Sequence, residues 1–258
     1  MIIAQFLILA FSISLLGFAF IAAIPGANSP ENIRGLPFWI VTVWGPSLAA
    51  IILSARNGDL LALLGRTVKV ASVPIEAWAL VLAPILLLAV LRPFAPGEGM
   101  ALGAGALLAT IAFNLVLGPL GEELGWRGLM QEHLNMRMGW LVASLLVGGV
   151  WLVWHLPLWT VDSPQAQIPL PLFAVHCMSY AVIIGAAYSI SGGSILPAIL
   201  IHLTVNLASN WAIFAGFRDG ETWFAASAAP YVLLAGAAVW LVYNKTGDLG
   251  LRLSAAPG

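Results

Sequence analysis

The chain is built from apolar runs of about twenty residues, repeated along its length and parted by short polar or Pro/Gly-rich joints, and this limits what it can fold into. A helix needs roughly 17–25 apolar residues to cross a bilayer. Runs of that size fall at 2–24, 36–55, 74–91, 139–160, 170–190 and 195–214. Another opens near residue 100 and carries an acidic cluster at its far end, and a last one closes near 243. The runs are continuous rather than alternating, which excludes a membrane β-barrel. The expectation is an all-α polytopic transmembrane bundle of about eight spans, a single integral domain over 1–258 with a motif-bearing core at about 100–214. We find no internal repeat.

Composition supports this class and removes others. The chain is 61% hydrophobic and 8% charged, against roughly 45–50% and about 25% in ordinary soluble domains. A net charge of −1 gives no footprint for nucleic acid. The single cysteine, Cys177, forms no intrachain disulfide and no cysteine metal cluster. The first run lacks a basic start and is too long for a signal peptide, so it is expected to stay. The segment 56–73 has charged flanks around Leu60, Leu61, Leu63 and Leu64 and reads as a short helix lying in the interface. With the N-terminus inside, Arg56, Arg66, Lys69, Arg127, Arg137, Lys245 and Arg252 fall on the inner side, and Arg34, Arg92 and Arg218 outside. That asymmetry places both termini in the cytoplasm, in the cell (inner) membrane.

Against this background Glu122, Glu123 and Arg127 stand out, three charges within six residues at the end of an apolar run. Ionisable groups at membrane depth cost roughly 2.5–3.5 kcal/mol each on insertion scales, so they need partners and a reason. On a helix Glu123 and Arg127 share a face at i, i+4 and can pair. Glu122 lies about 100° around the axis and is free to face a cavity as a general base. Taken alone, the three charges read equally well as an interfacial cluster. Two downstream helices offer partners. Trp151 and His155 share one face at i, i+4, and so do His202 and Asn206. An imidazole and an amide aimed into one cavity are the donors an oxyanion needs, though both also serve as interhelical contacts.

Glu122-Glu123-x-x-x-Arg127, an aromatic-x-x-x-His155 and His202-x-x-x-Asn206, in that order, resemble the three motifs of the type II CAAX prenyl endopeptidases. Their wider group is the CPBP (CAAX protease and bacteriocin-processing), or Abi, family of intramembrane proteases. The wording around them is similar too: Trp126-Arg127-Gly128, His155-Leu-Pro-Leu158 and Gly193-Ser-Ile-Leu-Pro197. Trp151 stands where phenylalanine is commoner.

The resemblance covers about 121–210. It implies a glutamic-type intramembrane endopeptidase acting on a membrane-associated peptide or lipidated, CAAX-type protein in the bilayer. Glu122 and His155 would activate water, His202 and Asn206 would hold the oxyanion, and Glu123 and Arg127 would orient the site without a cofactor. The alternative within the same family is a zinc hydrolase with ligands from Glu122, His155 and His202. Outside it stand a non-catalytic immunity or scaffold protein, and a transporter, which should show matching repeats. Rises of 1.5 Å per residue require the acid-bearing helix to start after residue 100 and to continue past Arg127, giving a site about 10 Å deep that opens to the cytoplasm. His133 is expected in an interfacial loop, His176 as a bundle contact, and Cys177 without a catalytic partner.

Overall fold

The structure is a computed structural model that describes residues 1–161 and 163–251; Arg252 of the basic count lies outside the described residues. Eleven α-helices are described: α1 (Ile2–Ala23), α2 (Leu36–Asn57), α3 (Leu60–Gly65), α4 (Ile75–Leu91), α5 (Ala104–Val116), α6 (Pro119–Gly125), α7 (Glu132–Met138), α8 (Trp140–His155), α9 (Leu170–Ile190), α10 (Leu196–Trp211) and α11 (Gly220–Thr246). No strand occurs among the described residues. Seven helical stretches are long and apolar enough to cross a membrane, and the chain is an all-α polytopic membrane bundle.

Of the eight expected runs seven reach full spanning length, and the 195–214 run forms the shorter, 16-residue α10. Pro197 lies in its first turn, and the regular helix ends at Trp211. The second difference is the segment 131–138, read from its polar composition as a connection. It is helical: α6 passes into a π-helical turn, Trp126–Gln131, and then into α7, so that one stretch runs from Ala104 to Met138. His133 therefore lies on α7 rather than in a loop, its Nδ1 2.8 Å from the Leu129 carbonyl. The stretch starts after residue 100 and continues past Arg127, as the rise per residue required.

Small residues set where α6 lies. In lipid, helices associate by close packing, and glycine permits the closest approach. α1 and α2 meet at Gly45, where a Cβ would stand 2.8 Å from the Ala10 carbonyl oxygen, while the Ser14 hydroxyl donates to the Thr42 carbonyl at 2.7 Å. α6 presents Gly121 and Gly125, one turn apart, to the other side of α2. A Cβ on Gly121 would lie 2.8 Å from the Val43 carbonyl, and one on Gly125 2.5 Å from that of Pro46. Since these glycines fix the face of α6 that meets α2, the next two faces are fixed as well. One carries Glu122 and Trp126, the other Glu123 and Arg127, each at i, i+4. Both turn into the bundle, toward α8 and α10.

Candidate active site

Both carboxylates are buried, Glu122 4% and Glu123 0% exposed, and each is held by N–H donors. The Glu122 Oε2 accepts from the indole of Trp126 at 3.2 Å and from that of Trp151 on α8 at 2.6 Å. The Glu123 Oε1 accepts from Arg127 Nη1 at 2.9 Å and from His202 Nδ1 at 2.7 Å. The expected Glu123–Arg127 pair is present, fully buried on both sides. The bond from His202 is an addition. It ties α10 to α6 and fixes the imidazole's orientation, with Nε2 facing Glu122 Oε1 at 4.0 Å.

Since His202 Nδ1 donates to a carboxylate, Nε2 can donate as well only if the ring carries both protons. Asn206, one turn further along α10, faces the same space. A Cβ built on Gly118 would lie 2.8 Å from Asn206 Nδ2 and 3.9 Å from His202 Nε2, so the two groups converge on the bare face of that glycine.

His155 ends α8. Its Nδ1–H donates to the Trp151 carbonyl at 2.8 Å, leaving Nε2 as the free ring nitrogen. Its ring packs edge-on against Trp151, Trp154 and Phe173, with centroids 5.3, 4.8 and 5.2 Å away. Trp151 links all the pieces. Its ring centroid is 5.2 Å from that of His202, its face lies 5.4 Å from the Arg127 guanidinium carbon, and its N–H holds Glu122. The structure thus brings Glu122, Arg127, His155 and His202 around one indole, with Glu123 bonded to Arg127 and His202, and Asn206 beside His202 at Gly118. Among the described residues no hydrogen bond joins His155 directly to Glu122.

The two indole donors were not anticipated. Trp126 was within reach of sequence reasoning, since it sits at i+4 from Glu122. Trp151 shares a face with His155 and stands where phenylalanine is commoner, yet phenylalanine has no N–H to give. His176 is a bundle contact, its Nε2 2.9 Å from the Ser227 hydroxyl on α11. Cys177 is buried against the Gly148 carbonyl. Among the described residues no three His, Cys, Asp or Glu side chains are grouped so as to hold a metal ion.

Residues 104–208 match the family described as type II CAAX prenyl endopeptidase Rce1-like. The similarity to that family is confined to the motif-bearing core of the chain. The matched stretch contains all six of the grouped residues and stops two residues past Asn206. The chain is also 33% identical over 104 residues to CAAX prenyl protease 2 of the archaeon Methanococcus maripaludis, and this match spans 38% of each protein. Helices α1 to α4 and α11 lie outside the family match.

Proposed function

We propose that the protein is an intramembrane endopeptidase that cleaves a peptide bond in a membrane-associated, prenylated CAAX-type substrate. The observation that carries this reading is the 4.0 Å gap between Glu122 Oε1 and His202 Nε2. With Oε2 held by two indoles, Oε1 is the oxygen left to take a proton from water. A carbonyl oxygen resting on His202 Nε2 and Asn206 Nδ2 would place its carbon beside that water. Water adds to the carbon as its proton passes to Glu122, and the negative charge develops on the oxygen facing the two donors. The C–N bond then breaks, and the proton held by Glu122 goes to the leaving amine. His155 Nε2 is a second acceptor that steers the same water. Glu123 holds His202 in its orientation, and Arg127 balances Glu123. This chemistry requires no bound metal.

The substrate class is supported by a groove of about 390 Å³ between α1 and the end of α8, lined by Phe11, Leu15, Phe18, Val153 and Leu156. It borders the site at Trp154, whose ring packs on His155 and lies 6.0 Å from Trp126. An apolar chain lying there would bring an attached peptide to Glu122. We further propose residence in the cell membrane, with both termini and the site's mouth on the cytoplasmic side. The test is cleavage of a farnesylated CAAX peptide by the purified protein in nanodiscs, with and without a strong chelator. Cleavage of the farnesylated but not the bare peptide, unchanged by chelation, is expected. Loss on chelation with recovery on adding zinc would transfer the site to the metal mechanism.

A further inference from the structure

Between α3 and α4 the chain crosses the bundle end that carries the start of α10, and it is laced to the turn between α9 and α10 by four hydrogen bonds. Ile195 N–H donates to the Arg66 carbonyl at 2.9 Å, and the Ser194 hydroxyl to the Lys69 carbonyl at 2.9 Å. Lys69 Nζ donates to the Gly192 carbonyl at 3.0 Å, and the Ser72 hydroxyl to that of Ser191 at 2.9 Å. This linker, through two carbonyls and two side chains, therefore fixes where α10, the helix of His202 and Asn206, begins.

The side chain of Arg66 turns the other way. Its Nη2 donates to the Gly128 carbonyl in the π turn, and its Nη1 donates to the Tyr188 hydroxyl of α9 at 2.9 Å. The same guanidinium lies 3.4 Å from Glu132 on α7, to which the Tyr188 hydroxyl donates. Gly128 immediately follows Arg127. A Cβ there would stand 2.7 Å from the Leu63 Cδ1 of α3 and 2.9 Å from the Ile195 Cδ1, so both elements close over its bare backbone. One residue thus touches the end of the acid-bearing helix through its side chain and the start of the donor-bearing helix through its carbonyl.

We propose that Arg66 is a positioning residue for the hydrolytic site, setting the depth of Glu122 and Glu123 against that of His202 and Asn206. This rests on the hydrolytic reading above. The planar fork is what suits the position: two N–H groups reach two different acceptors, which the single ammonium of lysine cannot reproduce. A shift of about 1 Å in such a constellation costs about 100-fold in rate.

The experiment compares wild type, Arg66→Ala and Arg66→Lys in nanodiscs, by steady-state kinetics on a farnesylated CAAX peptide and by hydrogen–deuterium exchange. Arg66→Ala is expected to lower kcat by about 10- to 100-fold. KM should stay within about threefold, because Arg66 acts on the helices rather than on the substrate. Exchange should rise in 118–131 and 195–206 and not in α4. Arg66→Lys, which keeps the charge beside Glu132, should recover less than half of the activity. Full recovery by lysine, an unchanged kcat, or a rise in KM alone would overturn the proposal. If Arg66→Ala does not accumulate, Tyr188→Phe carries the test, with kcat expected to fall about three- to tenfold; no change there overturns it too. A wild type that cleaves no peptide counts against the hydrolytic reading itself. An active wild type with an indifferent Arg66→Ala counts against Arg66 alone.

Discussion

Two halves of one helical stretch, α5 and the α6–π turn segment, divide the labour of the molecule in opposite senses. α5 is almost wholly apolar and has no buried residue, whereas every residue from Gly121 to Gln131 is buried, with two carboxylates and an arginine among them. α5 is held through polar links at its end, Trp44 Nε1 to the Val116 carbonyl at 2.9 Å and Asn210 Nδ2 to Asn114 Oδ1 at 2.8 Å. In water this partition would be upside down. In a bilayer the apolar half rests against lipid at no cost, and the charged half must be enclosed and paired. Burial here follows hydrogen-bonding need rather than hydrophobicity, so the enclosed half is the place to look for chemistry.

Three substitutions press on that contrast. Glu123→Gln, in the enclosed half, removes the negative charge shared by Arg127 and His202 and leaves a buried guanidinium without its carboxylate. It should cost about 3–5 kcal/mol of stability, read as a lowered unfolding midpoint in detergent together with lost turnover. A midpoint equal to that of wild type would mean the pair is solvated and the enclosure is not what holds it. Trp151→Phe keeps the ring but removes the N–H that holds Glu122. Losing a hydrogen bond to a charged group is worth about 1.5–3 kcal/mol, so turnover should fall by roughly 10- to 150-fold. Turnover equal to wild type would reduce Trp151 to packing. Leu108→Ala, on α5, where the side chain is 67% exposed, should change stability by less than about 0.5 kcal/mol. A larger loss would show that α5 packs on a partner rather than on lipid.

Much of this was legible in the chain. The apolar runs pointed to the bundle, and α9 and the start of α4 fall where hydropathy put them. The pairing of Glu123 with Arg127 followed from helical spacing. What escaped had physical causes. Residues 131–138 look like a connection because Gln131, Glu132, His133, Asn135 and Arg137 are polar, yet they continue a helix whose π turn lends a carbonyl to Arg66. The bond from His202 to Glu123 depends on how α10 is set against α6. That setting is fixed by contacts at Gly118, Gly128 and the 66–72 linker, far apart in sequence. The indole of Trp151 could not be aimed at Glu122 until α8 had a place. Gly121 and Gly125 were visible as a spaced pair, but only packing on α2 gives the spacing its meaning.

Everything proposed for the site turns on Glu122 being the base that activates water. The sharpest check is the turnover of Glu122→Gln against wild type on a farnesylated CAAX peptide, with folding monitored on the same samples. Glutamine keeps the size of the side chain and an oxygen for the two indoles, and loses the proton acceptor. A fall of about 10²–10⁴ in kcat is expected, with the unfolding midpoint little changed; turnover equal to wild type in folded protein would remove Glu122 from the chemistry.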